Sequence, residues 1–253
     1  MSAVQSLRPN LDHWPERVDL ACALRWTARL NMHEGVANHF SLAVSDDGQQ
    51  FLMNPNQKHF SRLKASDLIL IDAQDPTTMD RPDAPDPTAW ALHGAVHRAL
   101  PQARCIMHVH SKYATVLASL LDSSMPPIDQ NTMRFYGKVV VDDGYDGMGL
   151  GDEAERVASL MRGQADKTVL IMGNHGIMVF APTVAYAFDE MYYFERSAET
   201  LVTAYMTGKP LRVASHEVAE KTARQWREYP GLGDLHFAEL KAILDDEGSD
   251  YRR

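Results

Sequence analysis

Short apolar runs alternate along the chain with polar stretches that are rich in proline, glycine and aspartate. Residues 15–32 carry apolar side chains at helical spacing behind a proline, which predicts a helix. Residues 68–71 and 105–109 are short and almost continuously apolar, which is typical of buried strands. Residues 167–182 hold two apolar runs around a glycine-flanked turn, and this pattern predicts two strands joined tightly together.

Further helices are predicted at 86–101, 151–163 and 183–208, the first of them capped by Asp86. The stretch 74–87 is rich in proline and aspartate and is predicted to be a surface loop, because the pattern on both sides belongs to one fold. Strands therefore alternate irregularly with helices, and hairpins join some of the strands. This order predicts one α/β domain in which a mixed sheet lies between helices.

The chain is predicted to divide into three parts. Residues 1–15 have no clear periodicity and are expected to form an N-terminal arm. Residues 16–245 are expected to form the single domain. Residues 246–253 are polar and charged, and we expect this C-terminal tail to fray.

Composition and charge narrow the possible functions. The 253 residues have a formal net charge of -9, which argues against a general nucleic-acid-binding protein. The two cysteines, Cys22 and Cys105, are too few for a disulfide framework or a cysteine-based zinc site. The sequence contains neither a long apolar run that would span a membrane nor an apolar signal segment at its start. A cytoplasmic protein that does not associate with membranes is the expectation.

Three histidines form a candidate metal site. His108 and His110 are two residues apart in a predicted strand, so their side chains face the same way. His175 lies in the glycine-flanked turn and is a plausible third ligand. Two histidines in a strand are otherwise hard to satisfy among apolar side chains, and imidazole nitrogens bind zinc at about 2.0–2.1 Å.

A second histidine pair lies on one predicted helix. His93 and His97 have the spacing of a helical metal motif but lack the glutamate that accompanies it in zinc proteases. Because Arg98 follows His97, we expect His97 at the surface. His93 is expected to pack between helix and sheet or to lie behind the metal ligands.

Several charged residues are weaker candidates. Glu34 is a possible base near the site, although a charged loop residue is more often simply solvated. Lys58 and His59 are possible partners of an anionic substrate, although polar loop residues of this kind are also more often simply solvated. Glu195 is the acidic member of an aromatic-rich helix face that is otherwise typical of core.

Four stretches of the sequence, taken in order, resemble the class II aldolase/adducin family. The similarity extends over about residues 16–206, and its most specific part is the His-x-His pair followed by a single histidine in a glycine-flanked turn. The Asp86-Pro87-Thr88 stretch is similar to the adducin-like branch, whereas the sugar-phosphate aldolases have a Ser-Ser-Glu stretch in this region. The four stretches are HEGVANHFSL, NPNQKHFSRLKASDLILID, DPTAWALHGAVHRALPQARCIMHVH and GNHGIMVF.

The resemblance implies a fold, a cofactor and an assembly. Family members are α/β/α sandwiches around a largely antiparallel sheet, and many form tetramers with active sites at subunit interfaces. By resemblance, His108, His110 and His175 bind a divalent metal, zinc in most members, with manganese, iron or cobalt as alternatives. The ion acts as a Lewis acid on a substrate oxygen while a carbon–carbon bond breaks.

The sequence departs from the family where the sugar-phosphate aldolases carry out their chemistry. The family glutamate lies four residues before the helix histidine, and here that position is Ala89. The family phosphate-binding and tyrosine positions also differ, so a phosphate pocket is not expected. Lys58 or His59 would instead meet a carboxylate. The predicted substrate-binding residues are Asn38, Lys58, His59, Thr88, Gln130 and Asn174.

These observations favour a metal-dependent carbon–carbon lyase, an aldolase or decarboxylase for a small hydroxy or keto acid. Glu34, His93 and Glu195 are the candidate proton donors that would replace the missing glutamate. The alternative is a non-catalytic scaffold or binding protein like the adducin head that retains a metal site. Three converging imidazoles favour the enzyme, since a scaffold does not need them, whereas Ala89 favours the scaffold. An epimerase with similar chemistry is a third possibility and meets the same phosphate objection.

Overall fold

The computed structural model describes residues 11–147 and 152–253. Helices and strands alternate irregularly within these ranges, as the apolar pattern predicts. The helices are α1 (Trp14–Arg29), α2 (Pro87–Ala99), α3 (Lys112–Ala118), α4 (Gln130–Arg134), α5 (Glu153–Met161), α6 (Val184–Met206), α7 (His216–Glu228) and α8 (Leu232–Asp246). The strands are β1 (His39–Ala43), β2 (Gln50–Met53), β3 (Ile69–Asp72), β4 (Cys105–Val109), β5 (Val139–Asp142), β6 (Val169–Met172) and β7 (Gly176–Ala181).

The strands form one sheet in the order β3-β2-β1-β4-β7-β6-β5. Among the described strands, β5 and β6 pair in parallel, and every other neighbouring pair is antiparallel. Strand β4 lies at the centre, between β1 and β7. This confirms the predicted three-layer sandwich with a mixed, largely antiparallel sheet.

Helices cover both faces of the sheet. Helices α2 and α5 pack together on one face over Ile106, Leu170 and Met178. Helices α1, α3, α6 and α8 lie on the other face, over a larger apolar cluster that includes Met107 and Val179. Neighbouring residues of β4, β6 and β7 therefore enter opposite clusters. Burial on both faces explains why these strands are continuous apolar runs in the sequence.

Residues near two helix starts determine where those helices begin. Asp86 accepts hydrogen bonds from the backbone N–H groups of Thr88 and Ala89, and Pro87 occupies the first position of α2. Thr183 caps α6 in the same way. Both caps satisfy backbone donors that a helix cannot satisfy internally, so they fix where α2 and α6 begin.

The C-terminal residues do not fray, so that prediction is wrong. Tyr251 is fully buried in the large cluster, and its carbonyl oxygen accepts a hydrogen bond of 2.8 Å from the backbone N–H of Ala65. The carbonyl of Arg253 accepts another from Ser66 at 2.9 Å. One buried aromatic ring holds the tail against residues 65–66 despite its charged composition. Residues 1–10 of the predicted arm lie outside the described residues, and the single domain over 16–245 stays a prediction.

None of the described helices is both long enough and apolar enough to cross a membrane.

Candidate metal centre

Two histidines, one in strand β4 and one directly after it, face the side of the sheet that α2 and α5 cover. His108 is buried, and it pairs in register with His39 of β1 and Met178 of β7. His110 follows the end of the strand. The Nε2 atoms of His108 and His110 are 2.9 Å apart, so the structure brings the two rings together as their spacing predicts.

The turn between β6 and β7 brings the third histidine to the pair. The ring of His175 lies 4.8 Å from that of His108 and 4.9 Å from that of His110, centre to centre. Asn174 adopts a left-handed conformation in this turn, with φ of 57°. A Cβ atom on Gly176 would lie 2.6 Å from the carbonyl oxygen of Val109 and 2.8 Å from the His110 ring. Glycine is therefore required there for the two chains to approach so closely.

The rings of His108 and His110 are neutral near neutral pH. Burial lowers the pKa of His108 well below its ordinary value, and the neighbouring imidazoles lower it further. Burial and His175 lower the pKa of His110 to about 4. The Nδ1 of His108 donates a hydrogen bond of 3.0 Å to the carbonyl of Ile177. Its proton is thereby held on Nδ1, and Nε2 keeps the lone pair that a metal ligand needs.

The triad fits a divalent metal ion. One ligand nitrogen from each of His108, His110 and His175 lies within 4.8 Å of the others. Tetrahedral zinc coordination would place such nitrogens about 3.3 Å apart, so small side-chain rotations are sufficient. Three neutral imidazoles also leave an open position for a substrate oxygen.

Glu153 lies behind the triad. The Nδ1 of His175 is buried and has no hydrogen-bond partner among the described residues, and Glu153 Oε1 is 3.7 Å away. Arg156 pairs with Asp142 at the end of β5 and approaches Glu153 at 3.7 Å. A carboxylate beside the outer nitrogen of a ligand histidine orients the ring and makes the inner nitrogen more basic. The carboxylate beside His175 is a second reason why the residues present suit a metal.

Asn38 borders the triad on the β1 side. Its buried Oδ1 accepts a hydrogen bond of 2.6 Å from the backbone N–H of Glu34 and one of 3.5 Å from that of His110. Its Nδ2 is buried, and no acceptor for it lies among the described residues. A buried amide donor without an acceptor is costly unless something else occupies the site. Asn38 is therefore well placed to meet a substrate oxygen.

A buried chain of polar side chains runs from the triad into the layer behind it. His39 Nδ1 is 2.7 Å from His93 Nε2, and Ser41 Oγ is 2.6 Å from His93 Nδ1. Ser41 Oγ is also 2.7 Å from His97 Nε2, and His97 Nδ1 is 3.1 Å from the carbonyl oxygen of Ala103. His93 thus packs between helix and sheet as predicted. The prediction of a surface position for His97 is wrong, because α2 turns this side chain toward the sheet, where it is 1% exposed.

Two predicted site residues use their polar atoms in helix caps. The carboxylate of Glu195 accepts hydrogen bonds from Ser111 Oγ and from the backbone N–H groups of Tyr113 and Ala114 at the start of α3. The hydroxyl of Thr88 donates to Asp86 Oδ1 at 2.6 Å. Neither residue forms a hydrogen bond or ion pair with the triad among the described residues. The carboxylate of Glu195 therefore uses most of its hydrogen-bonding capacity at the start of α3.

The other predicted binding residues are dispersed. Lys58 forms an ion pair of 2.6 Å with Asp67, and His59 Nε2 is 3.0 Å from His33 Nε2. Glu34 is exposed, and so are Asn174, in the turn beside His175, and Gln130 at the start of α4. Gln130 lines a separate cleft of ≈ 540 Å³ with Tyr193 and Trp226.

Ala89 occupies the position of the family glutamate and is fully buried. It packs with Phe51, Ile69 and Ile71 in a small apolar cluster between α2 and the edge of the sheet. A carboxylate would be poorly solvated there. The surroundings of this position are therefore adapted to an apolar side chain.

Sequence reasoning missed His39, Ser41 and Glu153. His39 and Ser41 do carry a signal, because they alternate with Phe40 and Leu42 along a buried strand, and such alternation marks a polar face. Glu153 has no such signal in the sequence, since it begins a helix well before His175 and lies near that ring only in the folded chain.

The chain is similar to known proteins over most of its length. Residues 18–202 match the family described as Class II Aldolase and Adducin N-terminal domain. An adducin-related protein of Schizosaccharomyces pombe is 31% identical, over 93% of this chain and 76% of its own length. Decarboxylase NovR of Streptomyces niveus is 26% identical, over 86% of this chain and 82% of its own. The crystal structure of an aldolase II superfamily protein from Pseudomonas syringae matches with a TM-score of 0.85 and 27% identity, over 98% of this chain and 100% of that chain.

Proposed function

Because the chain belongs to the class II aldolase and adducin family, we propose that it is a divalent-metal-dependent carbon–carbon lyase for a small, carboxylated hydroxy or keto acid. The observation that carries the proposal is the convergence of three imidazoles, His108, His110 and His175, on one point. A scaffold would have no use for three imidazoles that converge in this way. Zinc is the proposed ion, since three histidines with an open position are its usual catalytic set.

The protein supplies the binding and orientation. A bound metal ion would polarise a substrate carbonyl and so stabilise the electron pair left when the carbon–carbon bond breaks. Asn38 offers its buried Nδ2 donor to a substrate oxygen beside His110. The carbonyl of Ile177 fixes the direction of the His108 ring through its outer nitrogen, and the Glu153 carboxylate lies 3.7 Å from His175 Nδ1, close enough to favour one orientation of that ring.

Decarboxylation suits the departures from the sugar-phosphate aldolases. The position of the family acid is occupied by Ala89, which lies in a buried, apolar setting. Loss of carbon dioxide needs an electron sink more than it needs a strong base at this position. The similarity to a protein named as a decarboxylase points the same way. Lys58 or His59 would receive the substrate carboxylate, with Thr88, Gln130 and Asn174 as further proposed contacts.

The proton donor is proposed among Glu34, His93 and Glu195. Glu34 lies in the loop that carries Asn38, and its carboxylate has no recorded partner among the described residues. The carboxylate of Glu195 already accepts three hydrogen bonds, and His93 lies behind His39. Glu34 is therefore the member of the set that is freest to transfer a proton.

The experiment is an assay of the zinc-, manganese- and iron-loaded protein against a panel of 2-keto and 3-hydroxy acids, with detection of carbon dioxide and of aldehyde. His108→Ala is the inactive control, and we expect it to abolish turnover. The Glu34→Gln, His93→Gln and Glu195→Gln variants then test the proton donor. Full activity in all three would exclude the whole set.

A non-catalytic scaffold is the second candidate, and the buried apolar contacts of Ala89 favour it. It predicts a protein that is metal-free and fully stable, with no turnover on any acid in the panel. A tetramer with sites at subunit interfaces and a cytoplasmic location are also part of our proposal. Light scattering of the purified protein and fractionation of the source cells test them.

A further inference from the structure

The buried polar chain behind the triad has a direction that one backbone carbonyl determines. A carbonyl oxygen accepts hydrogen bonds and never donates them, so His97 must carry its proton on Nδ1 to bond Ala103. His97 Nε2 is then an acceptor and takes the single hydroxyl proton of Ser41. Ser41 Oγ can consequently only accept from His93, which must be protonated on Nδ1. His93 Nε2 in turn accepts from His39 Nδ1.

Each ring in this chain is neutral, which leaves no spare proton. The three rings are buried, and none of them has a carboxylate within hydrogen-bond or ion-pair distance among the described residues, so each stays uncharged. A neutral imidazole carries one proton. Since the proton of His39 lies on Nδ1, its Nε2 is left with a bare lone pair.

The bare nitrogen belongs to the ring next to the metal triad. His39 and His108 are directly opposite in the β1–β4 ladder, and their rings stack 4.8 Å apart at 24°. His39 Nδ1 points toward α2, and the two nitrogens of an imidazole diverge widely, so Nε2 points away from that helix. Among the described residues, no donor approaches this nitrogen.

We propose that Ser41, His93 and His97 are positioning residues that hold His39 in its Nδ1–H form, so that its Nε2 accepts a hydrogen bond from a substrate hydroxyl beside the triad. The inference rests on the proposed function for its ligand class, a 2-hydroxy acid. The protonation state inferred for the His39 ring does not depend on the proposed function. A group that can donate a proton to the hydrogen bond, such as a substrate hydroxyl, is selected, and a carbonyl or carboxylate oxygen, which can only accept, is repelled at this position.

The state of the ring is measured in the metal-free protein, so it is independent of any lyase activity. Long-range ¹H–¹⁵N correlation spectra of histidine-labelled protein distinguish the two neutral forms, and the signals lost in His39→Gln assign the residue. We expect His39 to be protonated on Nδ1. A wild-type His39 protonated on Nε2 overturns the proposal.

Substitutions test whether the chain causes this state. Ser41→Ala removes the link between His93 and His97, and we expect the Nε2–H form of His39 to appear, whereas Ser41→Thr keeps the hydroxyl and the original form. Ser197→Ala is the matched control, because it removes an equally buried hydroxyl from α6. An unchanged His39 in folded Ser41→Ala protein contradicts the relay. If that variant does not fold, the same comparison is made with His97→Gln.

The acceptor role has its own readout in the zinc-loaded protein. Glycolate carries a 2-hydroxyl that can donate, and acetate lacks it. Excess glycolate is expected to shift the Nε2 signal of His39, and acetate is expected to leave it in place. No glycolate-dependent shift at His39, or an equal shift with acetate, overturns the acceptor role while leaving the lyase proposal standing.

Discussion

Two groups of buried polar side chains lie in different layers of the molecule, and they are arranged in opposite ways. In the histidine cluster between the sheet and α2, burial lowers the pKa of His108, and the nearby His175 Nδ1 and Asn38 Nδ2 have no hydrogen-bond partner among the described residues. The charged cluster formed by Arg134, Asp189, Glu190 and His236 is closed in the sense that its charges pair with one another, although Arg134 Nη1 has no hydrogen-bond partner among the described residues. Arg134 bonds both carboxylates, His236 Nδ1 lies 2.7 Å from Asp189, and the Arg134 guanidinium also covers the ring of Tyr193.

The difference separates a group that stabilises the fold from one that is free to bind. Burial alone would raise the pKa of Asp189, but hydrogen bonds and charge from His236 and Arg134 bring it below its ordinary value. Glu190 and Asp189 likewise raise the pKa of Arg134 despite its burial. Such a network pairs its own charges. The buried Nδ2 of Asn38, by contrast, has no acceptor among the described residues and is satisfied only when something else is bound beside it.

The largest effect is expected from removing a ligand of the triad. His110→Ala should reduce zinc affinity by more than the roughly 10–100-fold that loss of an outer partner costs. His59→Ala is the control, because this histidine bonds His33 instead. Isothermal titration with zinc measures both variants. Equal affinity in the two would place the metal elsewhere.

The closed cluster should respond through stability rather than binding. Arg134→Met leaves Asp189 and Glu190 buried without their cation, so we expect a loss of about 3–5 kcal/mol in the free energy of unfolding. Arg227→Met breaks only the exposed pair with Glu220 and should cost about 0–1 kcal/mol. Urea denaturation compares them, and a cost for Arg134→Met as small as that of the control would show that the cluster does not stabilise the fold.

Glu153 tests whether the metal site has an outer carboxylate. Glu153→Gln should weaken zinc binding by about 10–100-fold, because the His175 ring loses its charged neighbour. Glu155→Gln changes an exposed carboxylate on the same helix and should leave the affinity as it is. The readout is competition with a zinc-binding dye. Parallel behaviour of the two variants would remove Glu153 from the site.

The smallest effect is a change in how stability depends on pH. The pKa of His97 in the folded chain is about 3, below its ordinary value, so between these values the unfolded chain binds a proton that the folded chain does not. The free energy of unfolding therefore falls as pH falls below about 6.5, by about 1.4 kcal/mol per pH unit from this residue.

His97→Gln lacks this contribution, although the loss of its hydrogen bonds lowers stability at neutral pH. The metal-free variant should show a shallower slope than the wild type when urea unfolding is compared between about pH 7 and about pH 5. Equal slopes would mean that His97 is already exposed to solvent.

The sheet and the triad were predictable because their signals are local. Apolar runs such as residues 105–109 mark strands buried on both faces. His108 and His110 are two residues apart on one strand, and a glycine-flanked turn brings His175 to them.

The missed features depend on contacts that are distant in the sequence. Arg98 suggested a surface for His97, yet the position of α2 on the sheet turns His97 inward to Ser41. Tyr251 holds the tail through a cluster built by several helices. Glu153 reaches His175 only because α5 begins beside that turn.

The metal content of the wild-type protein, purified without chelators, tests the central claim most directly. We predict about one equivalent of zinc, or of another divalent transition metal, per chain. We also predict that it is lost in His108→Ala protein that remains folded. A folded wild-type chain that contains no metal and takes up none on titration would contradict the account.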